Sequence, residues 1–109
     1  MASGFLGKSK PAATTWTNIY TVPATKVASI SINAVNQNTA TATVDFVIST
    51  SATSGGIATT EYIEFGAVLS GTGSTLERTG LVTDATNGPY VWIRSSTANV
   101  SFQVYGYEE

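Results

Sequence analysis

From Thr41 to Ser49 the chain alternates without a break. Ala42, Val44, Phe46 and Ile48 fall on one side of an extended backbone, and Thr41, Thr43, Asp45 and Val47 on the other. Residues two apart share a face of a strand, so this pattern describes a strand with one buried and one wet face. The same period recurs along the chain, and no 3.6-residue period competes with it. Strands are expected over Asn18–Val22, Lys26–Val35, Thr41–Ser49, Glu61–Leu69, Thr75–Val82, Tyr90–Ser95 and Asn99–Tyr107.

Turn signals separate these runs: Asn36-Gln37-Asn38, Ser70 to Ser74, and Asn87-Gly88-Pro89. Thr50 to Thr60, rich in Ser, Thr and Gly, reads as an exposed, mobile loop. In the Glu61–Leu69 strand, Ile63, Phe65 and Ala67 are expected inward, Tyr62 and Glu64 outward. About seven strands at short spacing are the pattern of an antiparallel sandwich or barrel. One sheet alone would leave Ile30, Ile32, Val44, Phe46, Phe102 and Val104 in water, so a second sheet is required. The expected fold is all-β: a single antiparallel β-sandwich of about seven strands, jelly-roll or immunoglobulin-like, over residues 16–109. Met1 to Thr15 shows no regular pattern and is expected as an extended N-terminal arm along a neighbouring subunit.

The chain has 109 residues, enough for one domain and one core. Its charged fraction is 11%, against about 25% in ordinary domains. Hydroxylated side chains, 18 Thr and 12 Ser, take their place. Thr is β-branched and suits a pleated, half-solvated surface. Two readings follow: a neutral sandwich kept soluble by hydroxyls, or a subunit whose surface is covered by copies or partners. With a net charge of −2, nucleic-acid binding through phosphates is disfavoured. No apolar run approaches the ~20 residues of a membrane helix. No segment reads as a signal peptide, so synthesis in the cytoplasm without export is expected.

There is no His and no Cys. That removes the usual acid–base residue near neutral pH and the soft metal ligands, so no enzyme, cofactor or metal is expected. Glu61 and Glu64 lie three apart and should face opposite ways. Glu108-Glu109 reads as a solvated tail. The glycines at Gly55-Gly56 and Gly71-Gly73 lack the helix and Lys of a phosphate loop and read as turns. Glu77-Arg78 is either an ordinary surface pair, or Arg78 turns inward or into an interface to meet a carboxylate elsewhere.

Trp16, Tyr20, Tyr62, Tyr90, Trp92, Tyr105 and Tyr107 mostly fall on the less apolar face of their strands. Tyr and Trp are enriched at interface cores. Tyr90, Trp92, Tyr105 and Tyr107 are therefore expected as an intermolecular group, joined by Phe5, Leu6, Trp16 and Arg78. The other reading is that loops of the same chain cover these rings.

Three long segments, Thr17 to Ser49, Glu61 to Val82 and Val91 to Glu109, resemble small structural proteins of tailed bacteriophages. The resemblance is carried by "YTVP" at Tyr20–Pro23, the Asn-containing alternating hairpin over Asn33–Val47 and "YIE" at Tyr62–Glu64. "LERTG" at Leu76–Gly80, "SSTANVS" at Ser95–Ser101 and Val-x-Gly-x-Glu at Val104–Glu108 complete it. It implies a virion protein and names no catalytic residue. A head decoration or cement subunit on the major capsid protein, as a homo-oligomer such as a trimer, is the leading expectation. A tail, baseplate or fibre-attachment component is the alternative. A carbohydrate-binding module using the exposed aromatics is the alternative from another class.

Overall fold

A computed structural model describes residues 3–109. It is all-β, with strands β1 (Ser3–Ser9), β2 (Thr17–Thr21), β3 (Val27–Asn36), β4 (Ala42–Ser49), β5 (Tyr62–Leu69), β6 (Thr75–Asp84), β7 (Tyr90–Ser95) and β8 (Val100–Glu108). Two four-stranded antiparallel sheets, ordered β1-β8-β3-β6 and β2-β7-β4-β5, pack as a sandwich. The pairs β1–β8, β2–β7, β3–β6 and β4–β5 are all hydrogen-bonded. The first half of the chain thus lies against the second like one long hairpin closed between β4 and β5.

The seven strands expected from alternation are all present, within a residue or two of their expected ends. The core forms as the period demands. Ala28, Ile30, Ile32 and Ala34 of β3, with Phe102 and Val104 of β8, face Val44, Phe46, Val91 and Ile93 of the other sheet, all nearly inaccessible. Phe46 and Phe102 meet edge-to-face across the two layers, with ring centroids 6.1 Å apart. Asn36, fully buried, donates to the carbonyls of Ala40 (3.0 Å) and Leu69 (2.9 Å) and accepts from the Asn38 N–H (2.9 Å). A buried amide is tolerated here because each of its polar atoms has a partner.

The eighth strand is β1. The expected extended arm over residues 1–15 is, over residues 3–9, an edge strand paired with β8 of its own domain. Leu6 packs against the core of that domain, so it is not the free interface residue expected. The segment lacks alternation because a bulge falls between Phe5 and Gly7, and because four of its seven residues are Gly or Ser.

Bulges also explain the misplacement of Phe65. The register of β5 against β4 shifts twice, putting Phe65 outward at 75% exposure where strict alternation puts it inward. Gly66, at φ +65°, supplies the left-handed residue of one bulge, and its N–H donates to Asp45 Oδ1 at 2.8 Å. A matching bulge in β6 holds Gly80 at φ +71°, which returns Leu81 to the core five residues after Leu76. The central pairs β3–β8 and β4–β7 run in unbroken register.

Candidate interaction surface

The expected aromatic group does not form one site. Tyr90 and Trp92 stand on the outer face of the β2-β7-β4-β5 sheet; Tyr105 and Tyr107 stand on the outer face of the opposite sheet. The sandwich lies between them.

On the β7 side, the chain covers its own rings. Trp92 is only 7% exposed, and its Nε1–H donates to the Ser51 carbonyl at 3.1 Å. Val47, its cross-strand neighbour, is fully buried although it lies outside the inter-sheet core. The Thr50 to Thr60 segment is mostly exposed, as expected, and crosses the edge of Trp92. It holds two 3₁₀ turns, Ser54–Gly56 and Thr59–Glu61. Glu61 fastens it, accepting from Ala58 N–H (2.7 Å), Ser49 Oγ (2.7 Å) and Thr50 N–H (3.3 Å). Burial pushes the Glu61 carboxyl up, but these three donors outweigh it and hold its pKa below the ordinary 4.5. Trp92 is thus closed to sugar stacking. Tyr90 is half-buried and lines a groove with Pro23 and Pro89.

Trp16 belongs to the same face. Its ring meets Tyr62 edge-on at 5.9 Å, and the Arg94 guanidinium lies 4.2 Å from its centroid. Asp45 orients that guanidinium at 3.0 Å. Arg78 stays exposed and finds its carboxylate on another strand of the same chain. It sits opposite Ile32 in the register and pairs with Glu64 of β5 at 2.7 Å, bridging the flank where the edges of the two sheets meet. That partner is within the chain, so no neighbour is needed to satisfy Arg78.

Phe65 and Val68 (65%) stay exposed at the β5 edge of the β2-β7-β4-β5 sheet, and the broader open face belongs to the β1-β8-β3-β6 sheet. Its outer face carries Phe5 at 69% exposure, Val82 at 68% and Tyr107 at 45%, with Val27 also exposed. In register these form cross-strand rows: Phe5–Tyr105–Ser31, then Ser3–Tyr107–Ser29–Val82. A shallow depression of about 390 Å³ lies among Gly4, Phe5, Asn33, Gln103 and Tyr105. The Tyr105 hydroxyl donates to the Glu77 carboxylate, which fixes the ring beside it. Ser29, Ser31 and Asn33 lie between the rings. Apolar area grouped on a wet sheet face is the physical mark of a contact surface. Sequence reasoning found Phe5, Tyr105 and Tyr107 but missed Val82 and Val27, because their outward position depends on the register across β3.

Glu108 also departs from expectation. It is buried, not a solvated tail, and accepts the Tyr20 hydroxyl at 2.5 Å. Among the described residues, no group of three or more His, Cys, Asp or Glu side chains could hold a metal ion. No described helix is long and apolar enough to cross a membrane. No protein-family profile matches the chain, and no curated protein matches it significantly.

Proposed function

We propose that the chain is a non-enzymatic structural subunit of a tailed-phage virion, with a jelly-roll sandwich as its fold. Its work is to add contact area between larger virion components. A head decoration or cement subunit seated on the major capsid protein is the preferred form.

The strand order supports the jelly-roll reading over an immunoglobulin-like one. Only β4 and β5 are sequence neighbours within a sheet; every other connection crosses between sheets. An immunoglobulin-like sandwich keeps in-sheet hairpins in both of its sheets. Jelly rolls recur in capsid proteins and in lectins, so the fold alone does not choose a function.

The observation that carries the proposal is the unshared apolar face of the β1-β8-β3-β6 sheet. Phe5, Val82, Tyr107 and Val27 stand outward together on a domain with few charges to keep it dispersed. A virion component covering that face gains the burial that the monomer leaves unmade. The resemblance of the Tyr20–Pro23, Leu76–Gly80 and Val104–Glu108 segments to phage structural proteins selects the class of partner.

Co-sedimentation of the purified protein with expanded heads of the producing phage tests this. Saturable binding, weakened by Phe5→Ser with Tyr107→Ser, is expected. Binding to tails alone would replace the decoration reading by the tail-component reading. Binding to neither, with retention on a glycan array, would favour the carbohydrate-binding alternative.

A further inference from the structure

The open sheet is electrically polar from edge to edge. Its two free edges are β1 and β6. Lys8 pairs in register with Gln103, Gln103 with Asn33, and Asn33 with Glu77. One cross-strand row of the outer face therefore begins with a cation at the β1 edge and ends with a carboxylate at the β6 edge. Lys10 follows Lys8 just beyond β1. The β6 edge carries no competing free cation, because Arg78 is taken by Glu64.

The apolar residues are arranged the same way. Phe5 stands at the β1 edge and Val82 at the β6 edge, one row apart. Both are about two-thirds exposed. The strand directions also match. Each neighbouring pair in the sheet is antiparallel, so β1 and β6 run in opposite directions. A second copy in the same orientation would set its β1 antiparallel to the first copy's β6.

We infer that copies of this chain associate head to tail, with the β6 edge of one meeting the β1 edge of the next and the sheet continuing across the junction. In that arrangement Glu77, whose Oε2 accepts from Tyr105 of its own chain, meets the Lys8 of the neighbour with its other oxygen. Phe5 comes within a diagonal cross-strand distance of the neighbour's Val82, inside the range of an aromatic side chain. The two symmetric alternatives fail on charge: β1 against β1 brings lysines together, and β6 against β6 brings carboxylates together. The bulges at Leu6 and at Gly80 confine backbone pairing to Gly7–Ser9 against Leu76–Arg78, which keeps the contact selective. Such a heterologous contact closes into a ring if its rotation closes. The inference rests on the edges of this sheet, and it stands or falls apart from the virion reading.

Sedimentation velocity of the full-length protein in low salt tests it, with far-UV circular dichroism as the check on folding. Wild type is expected to form a discrete oligomer that weakens as salt rises. Lys8→Glu and Glu77→Lys should each raise the concentration for half-dissociation by about ten-fold or more, and the double reversal should restore it. Val82→Ser should weaken the oligomer without altering its salt response. A folded wild type that stays monomeric at its highest soluble concentration would overturn the inference. So would single reversals that leave the oligomer unchanged, or a double reversal that fails to restore it.

Discussion

Tyr20 on β2 donates a 2.5 Å hydrogen bond to Glu108 on β8, tying the two sheets together at one end of the core. Burial first, then the hydrogen bond to Glu108 and the charge of that carboxylate, push the Tyr20 phenol well above its ordinary 10.0. Above that ordinary value the unfolded chain releases the proton while the folded chain holds it. The contribution is therefore fully present below the unfolded pKa and is lost as pH rises through the folded one. Denaturant melts between about pH 9 and pH 12 should show stability falling with pH. Tyr20→Phe should remove part of that slope. At neutral pH it should cost about 1.5–3 kcal/mol, because Glu108 is left buried without its donor. An unchanged alkaline slope would contradict the assignment.

Glu61 makes a prediction of the opposite sign. Its carboxyl is held below 4.5, so its contribution is present above its unfolded pKa and lost as pH falls through the folded value. Protonation, or Glu61→Gln, should loosen the segment over Trp92. In a Trp16→Phe background, acrylamide quenching of Trp92 should increase several-fold while the core melt moves little. Quenching that does not respond would mean that other contacts hold the segment.

Asp45 serves three strands at once. It lies on β4, pairs with Arg94 of β7 at 3.0 Å, and accepts the Gly66 N–H of the β5 bulge at 2.8 Å. Asp45→Ala should destabilise by about 1.5–3 kcal/mol, read from urea midpoints at constant m. It should also speed hydrogen exchange at Gly66.

The Arg78–Glu64 bridge should matter far less. The arginine side chain is 46% exposed, so screening by water leaves little of the attraction. Arg78→Ala should cost less than about 1 kcal/mol. A loss above that range would show that the β5–β6 flank depends on this pair.

Most of the fold was legible in the sequence because period-two alternation survives in the central strands. In β3, β4, β7 and β8 the apolar residues mark the core, and β3–β8 and β4–β7 pair without a shift. The edge strands were harder. An added residue reverses the side of everything after it, which is why Phe65 points outward and why β1 did not read as a strand. Val47 and Trp92 were misjudged for another reason. A segment with no apolar pattern of its own covers them through a backbone carbonyl at Ser51 and a carboxylate at Glu61, and neither leaves a periodic signal. Of the candidate site, Phe5, Tyr105 and Tyr107 were legible as outward aromatics. Their separation from Tyr90 and Trp92 was not, because only sheet order assigns strands to opposite walls.

The most direct test of the account is the copy number of this chain in purified virions, measured by quantitative mass spectrometry against the major capsid protein. The account predicts a fixed ratio set by the capsid lattice, lost together with head stability when the protein is stripped. Absence from particles, or copies that wash away without any effect on them, would contradict it.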